Sequence, residues 1–304
     1  LQLSRSEIMS VNDTLKAAAK FFELSEFPNG KALLLKAATT SNKKPKPDTQ
    51  AARLGARVKK VFIDREWVRQ YNAVCGFKED EISLTAPQVV ASPLHMYLLS
   101  RPEHPMPMLG MVHLHNSIEC AKPLEYGVPY DVLVTVGDTR SISLGLEFDV
   151  HTQFLVGEEV HWSSVMTILC RVKGMPKPLT KPAPVEPLSA LGAQYAAVKV
   201  PENQGRKYAK VSNDYNPIHL YAQTAKMFGF KQAIVHGMWT AAKTLSIVEA
   251  SLGARASKFD LSFKQPVFLP SGISVKHVTA DSASKFEVLA ERDSKVLMVG
   301  SIAA

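Results

Sequence analysis

The segment 173–187 contains five prolines, and this density constrains how the whole chain can fold. Proline lacks a backbone N–H and holds φ near one value, so such a segment neither continues a helix nor pairs inside a sheet. It predicts an extended linker between two separately folded parts. The chain has 304 residues, so the sequence on each side is long enough to bury its own core.

The same order of elements is predicted on both sides of this linker. An apolar run at 86–100 is typical of a buried helix, and it precedes four strand-like runs at 111–120, 130–137, 143–153 and 161–172. After the linker, a strand at 194–200 and a helix at 235–252 precede four further strands at 259–269, 273–280, 285–290 and 295–302. Helix and strand do not alternate regularly, which favours an α+β fold with antiparallel sheets. We therefore predict two copies of one fold.

The predicted domain boundaries follow from this order. Residues 1–60 are assigned to an N-terminal extension that includes a short helix at 12–22, and 61–172 to a first domain. The linker occupies 173–187, and a second domain occupies 188–304.

Charge and composition limit the classes of function. The net charge is +8, which suits an anionic ligand such as a phosphorylated substrate, but the basic residues are too scattered to predict nucleic-acid binding. No apolar run reaches the length of a membrane helix, and the first ten residues lack an apolar signal segment, so a cytoplasmic protein is predicted. Three widely spaced cysteines suggest reduced thiols, and nine scattered histidines predict no metal site.

The most informative segment holds a carboxylate and an imidazole close together. Asp214 and His219 flank Asn216 and Pro217, and the Asn-Pro pair favours a turn. Such a turn can direct both side chains into one small volume. A carboxylate and an imidazole that share one water molecule can move protons to and from it near neutral pH.

A second feature follows at His236-Gly237, where the long helix is predicted to begin. The first backbone N–H groups of a helix have no partner within the helix and lie at the positive end of its dipole. Glycine leaves its own amide open to a ligand oxygen. This position can therefore stabilise negative charge that develops on a carbonyl oxygen.

A structural explanation exists for each residue taken alone. Asp-x-Asn-Pro also forms ordinary Asx turns, and His219 can be a buried histidine that is bonded to backbone. His113 and His115 are expected to have a core or rim role, and Trp239 is expected to pack in the core. The absence of Gly-x-Ser-x-Gly argues against serine hydrolase chemistry.

The segment resembles the MaoC-like dehydratases, which include the (R)-specific enoyl-CoA hydratases. Their pattern is approximately Y-A-x-x-S-G-D-x-N-P-I-H, then A-x-x-x-G-F, then I-x-H-G-M. The matching residues here are Tyr208, Ala209, Ser212, Asp214, Asn216, Pro217, Ile218, His219, Ala225, Gly229, Phe230, Ile234, His236, Gly237 and Met238. The resemblance covers about thirty residues directly.

This resemblance implies a double hot-dog fold, in which two antiparallel sheets each wrap a central helix. Nothing like D-x-N-P-x-H occurs in 61–172, so the N-terminal copy would be degenerate and would shape the acyl tunnel. Asp214 and His219 would be the catalytic pair that activates water. The oxyanion and substrate-binding part of the site is assigned to Gly237, Asn216, Ser212 and His236.

The implied reaction is hydration of a trans-2-enoyl thioester to a (3R)-3-hydroxyacyl thioester, or the reverse dehydration. The substrate is carried by coenzyme A or by acyl carrier protein, and no separate cofactor or metal is expected. No nucleic-acid or membrane partner is predicted, and a homodimer is left open.

Two departures from the family pattern keep other functions open. Asn213 replaces the usual glycine before the aspartate, and Tyr221 stands where many members have aspartate. Asparagine tolerates a positive φ better than most residues, so the loop is expected to keep its shape. The alternatives are a non-catalytic acyl-CoA-binding or scaffold protein on the same fold, and a thioesterase.

Overall fold

The computed structural model of the protein describes residues 18–176, 187–189 and 191–304. The chain forms two compact units that do not follow chain order strictly. The first unit contains the described residues up to Ile63, then Ala91–Val112, and then Asn116 up to the linker. The second contains Asp64–Val90, His113–His115 and the described residues after the linker. The domain boundaries predicted from the sequence remain a prediction.

The first unit packs helices on a five-stranded sheet in the order β1-β2-β4-β5-β6. Its strands are β1 Lys20–Leu24, β2 Leu54–Val61, β4 Tyr130–Ile142, β5 Gly145–Val156 and β6 Glu159–Arg171, while β3 Val112–Cys120 contributes residues to both units. Its helices are α1 Gly30–Thr39 and α4 Ser92–Leu99, with a 3₁₀ turn at Thr40–Asn42. The helix α4 packs against β2 and β4.

Strand β5 shows why the sequence of this sheet is so apolar. It lies between β4 and β6, and Phe148, Val150 and Phe154 are fully buried. A strand that is covered on both faces has few positions for polar side chains. Each such side chain contributes roughly 1.5–3 kcal/mol to stability by its removal from water.

The second unit has an antiparallel sheet in the order β8-β11-β10-β9-β7. Its strands are β7 Gln194–Val200, β8 Lys258–Phe263, β9 Ser271–Ala280, β10 Ala283–Ala290 and β11 Val296–Ala303. Its helices are α2 Arg65–Cys75, α3 Ala86–Val90, α5 Gln204–Ser212, α6 Ala222–Lys226 and α7 Gly237–Leu252, with a 3₁₀ turn at Pro217–His219. The helix α7 packs against β8, β9 and α2.

The long helix α7 begins and ends where its sequence dictates. His236 is extended with ψ of 134°, and Gly253 is left-handed with φ of 66°, its N–H donating to the Glu249 carbonyl at 2.9 Å. Ala241, Ala242, Leu245 and Val248 are completely buried along the helix. A helix with this burial is the central element of its unit.

Helix α2 was not predicted, although its ends carry clear signals. The Asp64 carboxylate caps it by accepting a hydrogen bond from the Trp67 N–H at 2.6 Å, and Gly76 ends it in a left-handed conformation. Its apolar stripe packs on α5 and α7. This helix therefore supports the segment that contains Asp214.

Three other details differ from the sequence-based expectations. The predicted helix at 12–22 is wrong in its described part, because Phe21 and Phe22 lie in β1; residues 12–17 fall outside the described residues. Strand β1 pairs with β2 in parallel, so the first sheet is mixed and not antiparallel throughout. The helix predicted at 86–100 is two helices, α3 and α4, and Pro93 lies in the first turn of α4.

The predicted linker at 173–187 lies largely outside the described residues. Within the part of the chain that the structure describes, no helix is both long and apolar enough to cross a membrane.

Candidate active site

The loop that carries Asp214 starts where α5 ends. Asn213 has φ of 55°, the left-handed conformation that the usual glycine would supply at little cost. The Ser212 hydroxyl donates to the Tyr208 carbonyl at 2.9 Å and accepts from the Asp214 N–H at 3.2 Å. Ser212 thus bonds to backbone on both sides of the turn and sets the direction in which the chain leaves the helix.

Two successive Asx turns shape the rest of the loop. Oδ1 of Asp214 accepts from the Asn216 N–H at 3.1 Å, and Oδ1 of Asn216 accepts from the Ile218 N–H at 3.4 Å. Oδ1 of Asp214 therefore has the structural role of an ordinary Asx turn. The other carboxylate oxygen, Oδ2, lies 3.7 Å from Nε2 of His236. The Asp214 side chain keeps 47% of its surface exposed.

His219 is held in one tautomer by a backbone contact. Its Nδ1 lies 2.8 Å from the carbonyl oxygen of Ile234. A carbonyl oxygen only accepts, so Nδ1 carries the proton, and Nε2 of the neutral ring has a free lone pair. The residue is only 9% exposed. Its neutral form is therefore arranged to accept a proton at Nε2.

His236 contacts both members of the pair. Its Nε2 donates to the Asp214 backbone carbonyl at 2.9 Å. Its ring stacks on that of His219, with centroids 3.8 Å apart and planes 27° apart. The centroid of the Tyr208 ring lies 5.0 Å from that of the His236 ring. Among the described residues, nothing bonds to Nδ1 of His236.

Asp214, His219 and His236 converge on one small volume. One oxygen of the carboxylate and one nitrogen of each imidazole all lie within 4.8 Å of one another. A water molecule about 2.8 Å from each of two groups can bridge them up to a separation of about 5.6 Å. The arrangement can therefore hold a water molecule between acid and base.

The electrostatics keep the carboxylate charged and the imidazoles neutral. Burial raises the pKa of Asp214, but the two imidazoles and the Asn216 N–H outweigh it, so this pKa lies below its ordinary value. Burial lowers the pKa of His219, although Asp214 and the Ile234 contact oppose the shift. Burial and the neighbouring His219 lower the pKa of His236 to about 3, against the opposing effect of Asp214. At neutral pH the site holds one carboxylate beside two neutral rings.

A carboxylate and two imidazoles can also coordinate a metal ion. Here Nδ1 of His219 and Nε2 of His236 already donate to backbone carbonyls, so each ring has one nitrogen left as a possible ligand. The same three side chains can serve proton transfer without a metal ion.

Gly237 follows His236 as the first residue of α7. A Cβ at this position would lie 3.0 Å from the Phe263 ring, so glycine lets that ring pack directly against the helix start. The ring of His113 lies against Phe263, with centroids 5.0 Å apart. His115 bonds to Ser262 and lies 3.3 Å from Asp260. Both histidines of β3 thus belong to the surroundings of the helix start.

Several residues that support the loop are not predicted by the sequence motif. Gly205 has no room for a side chain, because a Cβ there would collide with the backbone carbonyl of His219. The Trp67 indole donates to the Val211 carbonyl at 2.8 Å, and the Trp239 indole donates to the Val74 carbonyl at 3.0 Å. Trp239 is buried, as predicted. Of these, only the α2 contacts had a signal in the sequence, namely Asp64 and Gly76.

A small cavity lies beside the loop. Its volume is about 160 Å³, and its lining includes Glu202, Arg206, Leu220, Tyr221 and Pro270. Arg206 donates to the Leu220 carbonyl at 2.8 Å, and its guanidinium lies 4.8 Å from the centre of the Tyr221 ring. Tyr221, which replaces the usual aspartate, is thus a stacking partner for arginine.

Known proteins with similar sequences share this part of the chain. The MaoC like domain family matches residues 181–299. The 3-hydroxyacyl-thioester dehydratase X of Mycobacterium tuberculosis is 32% identical over 249 residues, which cover 80% of this chain and 87% of that protein. An (R)-specific enoyl-CoA hydratase of Aeromonas caviae is 35% identical over 77 residues, 24% of this chain and 58% of that protein.

Solved structures extend the similarity to most of the chain. The crystal structure of HtdX from Mycobacterium tuberculosis superposes with a TM-score of 0.70 at 27% identity, covering 82% of this chain and 98% of that one. The peroxisomal multifunctional enzyme type 2 of Drosophila melanogaster gives a TM-score of 0.64 at 15% identity, covering 92% of this chain and 52% of that one, and shows the fold alone. The fold is therefore an α+β hot-dog-like fold. The chain belongs to the MaoC-like dehydratase family.

Proposed function

We propose that this protein hydrates trans-2-enoyl thioesters to (3R)-3-hydroxyacyl thioesters, or catalyses the reverse dehydration, with Asp214 and His219 as the acid–base pair. The wider class, a hydro-lyase for acyl thioesters, follows from membership of the MaoC-like dehydratase family. The observation that supports the finer proposal is the convergence of Asp214, His219 and His236 within 4.8 Å.

The tautomer of His219 supports its role as the base. Because Nδ1 donates to Ile234, Nε2 can take a proton from a water molecule that the Asp214 carboxylate also holds. The water oxygen then bonds to C3 of the enoyl group, and the proton returns to C2. The thioester bond stays intact throughout. General acid–base catalysis of this kind typically contributes about 10²–10⁴-fold to a rate.

The start of α7 supports the other half of the reaction. Addition of water at C3 places negative charge on the thioester oxygen, and Gly237 occupies the first position of the helix, where the amide has no acceptor within the helix. We assign the Gly237 amide to that oxygen. Asn216 and Ser212 keep the loop in shape, and His236 holds the Asp214 backbone. The first unit, which lacks the motif, is assigned as the degenerate copy of the fold.

Hydration of crotonyl-CoA with analysis of product configuration tests this proposal. We expect loss of the enoyl absorbance and formation of a (3R) product, both abolished in Asp214→Asn. That variant keeps an oxygen that can accept from the Asn216 N–H, so the loop should retain its shape. A (3S) product, release of free thiol, or binding of acyl-CoA without turnover would reject the proposal. The last two results would favour a thioesterase and a non-catalytic acyl-CoA-binding protein, respectively.

A further inference from the structure

The segment around the candidate active loop has an excess of positive charge. Residues 201–248 contain six basic residues and only two acidic ones, Glu202 and Asp214. Asp214 belongs to the site itself. The surface of this segment therefore has a positive charge that its own carboxylates do not balance.

Four lysines in this segment are unpaired among the described residues, in contrast to several basic residues elsewhere. Lys207, Lys210, Lys226 and Lys231 are exposed, and none forms an ion pair with a residue that the structure describes. Other basic side chains do have carboxylate partners, including Arg53 with Asp138, Lys122 with Glu159 and Lys295 with Asp293. The four lysines are thus available to an external anion.

The fold connects these lysines through the loop that holds His219. Lys207 and Lys210 are three residues apart on α5, so they share one exposed face. The stack of Arg206 on Tyr221 joins that helix to the start of α6. In the middle of α6, Thr224 donates to the Pro217 carbonyl at 2.6 Å, which ties the helix to the 3₁₀ turn that includes His219.

Large apolar side chains are exposed among the same lysines. Met227 is 82% exposed, Tyr221 51% and Phe228 42%. Met227 and Phe228 follow α6 directly and stand beside Lys226, just before a turn at Gly229 with φ of 84°. Both side chains are therefore exposed to solvent at a turn. Exposed aromatic and methionine side chains with charged neighbours are typical of protein interfaces.

We propose that this surface docks an acidic acyl carrier protein, which would present its thioester arm to the Asp214–His219 site. We define the docking surface as Lys207, Lys210, Lys226, Met227, Phe228 and Lys231. The inference rests on the proposed function and names the carrier. Free coenzyme A is favoured less, because small ligands bind in concave sites and Met227 and Phe228 project outward. An acidic protein surface can pair with the exposed lysines and also cover the exposed apolar side chains.

Three crotonyl substrates that differ only in their carrier test this proposal. They are crotonyl-acyl carrier protein, crotonyl-CoA and crotonyl-pantetheine, the last of which has no phosphate. The variant is the double substitution Lys226→Glu and Lys231→Glu. The matched control is Lys199→Glu and Lys285→Glu, which changes the same charge at two exposed lysines on β7 and β10.

We expect kcat/KM for the carrier-protein substrate to fall on the order of tenfold or more in the variant, with a smaller loss at high salt. Activity on crotonyl-pantetheine should stay unchanged, and the control should match the wild type with all three substrates. Met227→Ala should lower kcat/KM severalfold for the carrier-protein substrate alone.

Two results would overturn the proposal. Equal losses with crotonyl-CoA and the carrier protein would show that the lysines bind the phosphate of the phosphopantetheine arm, which both carriers share. Equal behaviour of variant and control would show that the surface has no docking role. A lack of turnover with all three substrates would count against the proposed function instead. In that case, calorimetry with the crotonyl-carrier protein would still test docking, since wild type but not the variant should bind.

Discussion

Both units of this protein bury histidines, and the second unit places two of them, His219 and His236, around one carboxylate, Asp214. In the first unit, His95 bonds to the Thr152 hydroxyl at 2.8 Å, and the His104 ring lies against Phe148. Burial lowers the pKa of His95 to about 4. For His104, burial and the charge of Lys43 lower the pKa to about 3. At neutral pH both rings are neutral, and no carboxylate among the described residues contributes to the shift of either pKa.

In the second unit the carboxylate changes what a buried imidazole can do. Asp214 opposes the effect of burial on His219, and the Ile234 carbonyl orients the ring. The nearest counterpart in the first unit is Asp149, which is already bonded to Arg140 and Thr167. A histidine that is only buried therefore has a structural role. Proton transfer becomes possible where a carboxylate that is not bonded to a basic side chain lies beside the imidazole.

The largest expected effect is a loss of kcat that distinguishes a histidine of the second unit from a histidine of the first. His219→Gln should lower kcat for hydration by at least about 100-fold, because it removes the base. His95→Gln, a matched change in the first unit, should leave kcat within about threefold and lower the thermal midpoint. Steady-state kinetics and thermal melts of both variants check this. Comparable losses of kcat in the two would remove the functional distinction between the units.

A smaller effect should follow at His236, whose hydrogen bond to Asp214 is to the backbone carbonyl. His236→Phe keeps an aromatic ring on His219 but removes the donor to the Asp214 carbonyl. We expect kcat to fall on the order of tenfold with little change in KM, since an orienting hydrogen bond contributes about 1–1.5 kcal/mol. His236→Gln, which retains an N–H donor, should recover part of the loss. If KM alone rises, His236 contacts substrate and does not position Asp214.

Gly237→Ala should lower kcat/KM for hydration severalfold. The new Cβ would lie 3.0 Å from the Phe263 ring, so the ring or the helix start must shift. Overpacking of this kind costs about 1–3 kcal/mol. Adding Phe263→Leu should restore stability and part of kcat/KM. A double variant no better than Gly237→Ala would locate the strain elsewhere.

The last prediction concerns stability alone, through its dependence on pH. The pKa values of His95, His104 and His236 are lower in the folded protein than the ordinary 6.5, so the unfolded chain binds more protons in acid. Stability should therefore be highest above pH 6.5 and decline as pH falls from 6.5 towards 3, by up to about 1.4 kcal/mol per pH unit for each histidine. His95→Gln should reduce this decline, as measured by urea unfolding at several pH values. An unchanged slope would contradict a buried neutral His95.

Much of the second unit could be predicted from local patterns. The predicted strand at 194–200 coincides with β7, and the predicted end of the long helix at 252 is correct because Gly253 terminates it. The left-handed Asn213 was likewise anticipated. The first unit is harder to predict from sequence, because strand β1 depends on its pairing with β2. Lys20 pairs there with Leu54, thirty-four residues further along the chain. Pairing over such a distance leaves no periodic pattern in the segment itself.

What the sequence determined by itself is the loop: its Asx turns, its left-handed Asn213 and the helix that starts at Gly237. Each depends on hydrogen bonds and φ preferences of residues only a few positions apart. Only the tertiary structure decided that Ile234 selects the tautomer of His219, that His236 stacks on that ring, and that α2 supports the loop. Those contacts join residues brought together by packing, and packing depends on shape complementarity across the whole unit.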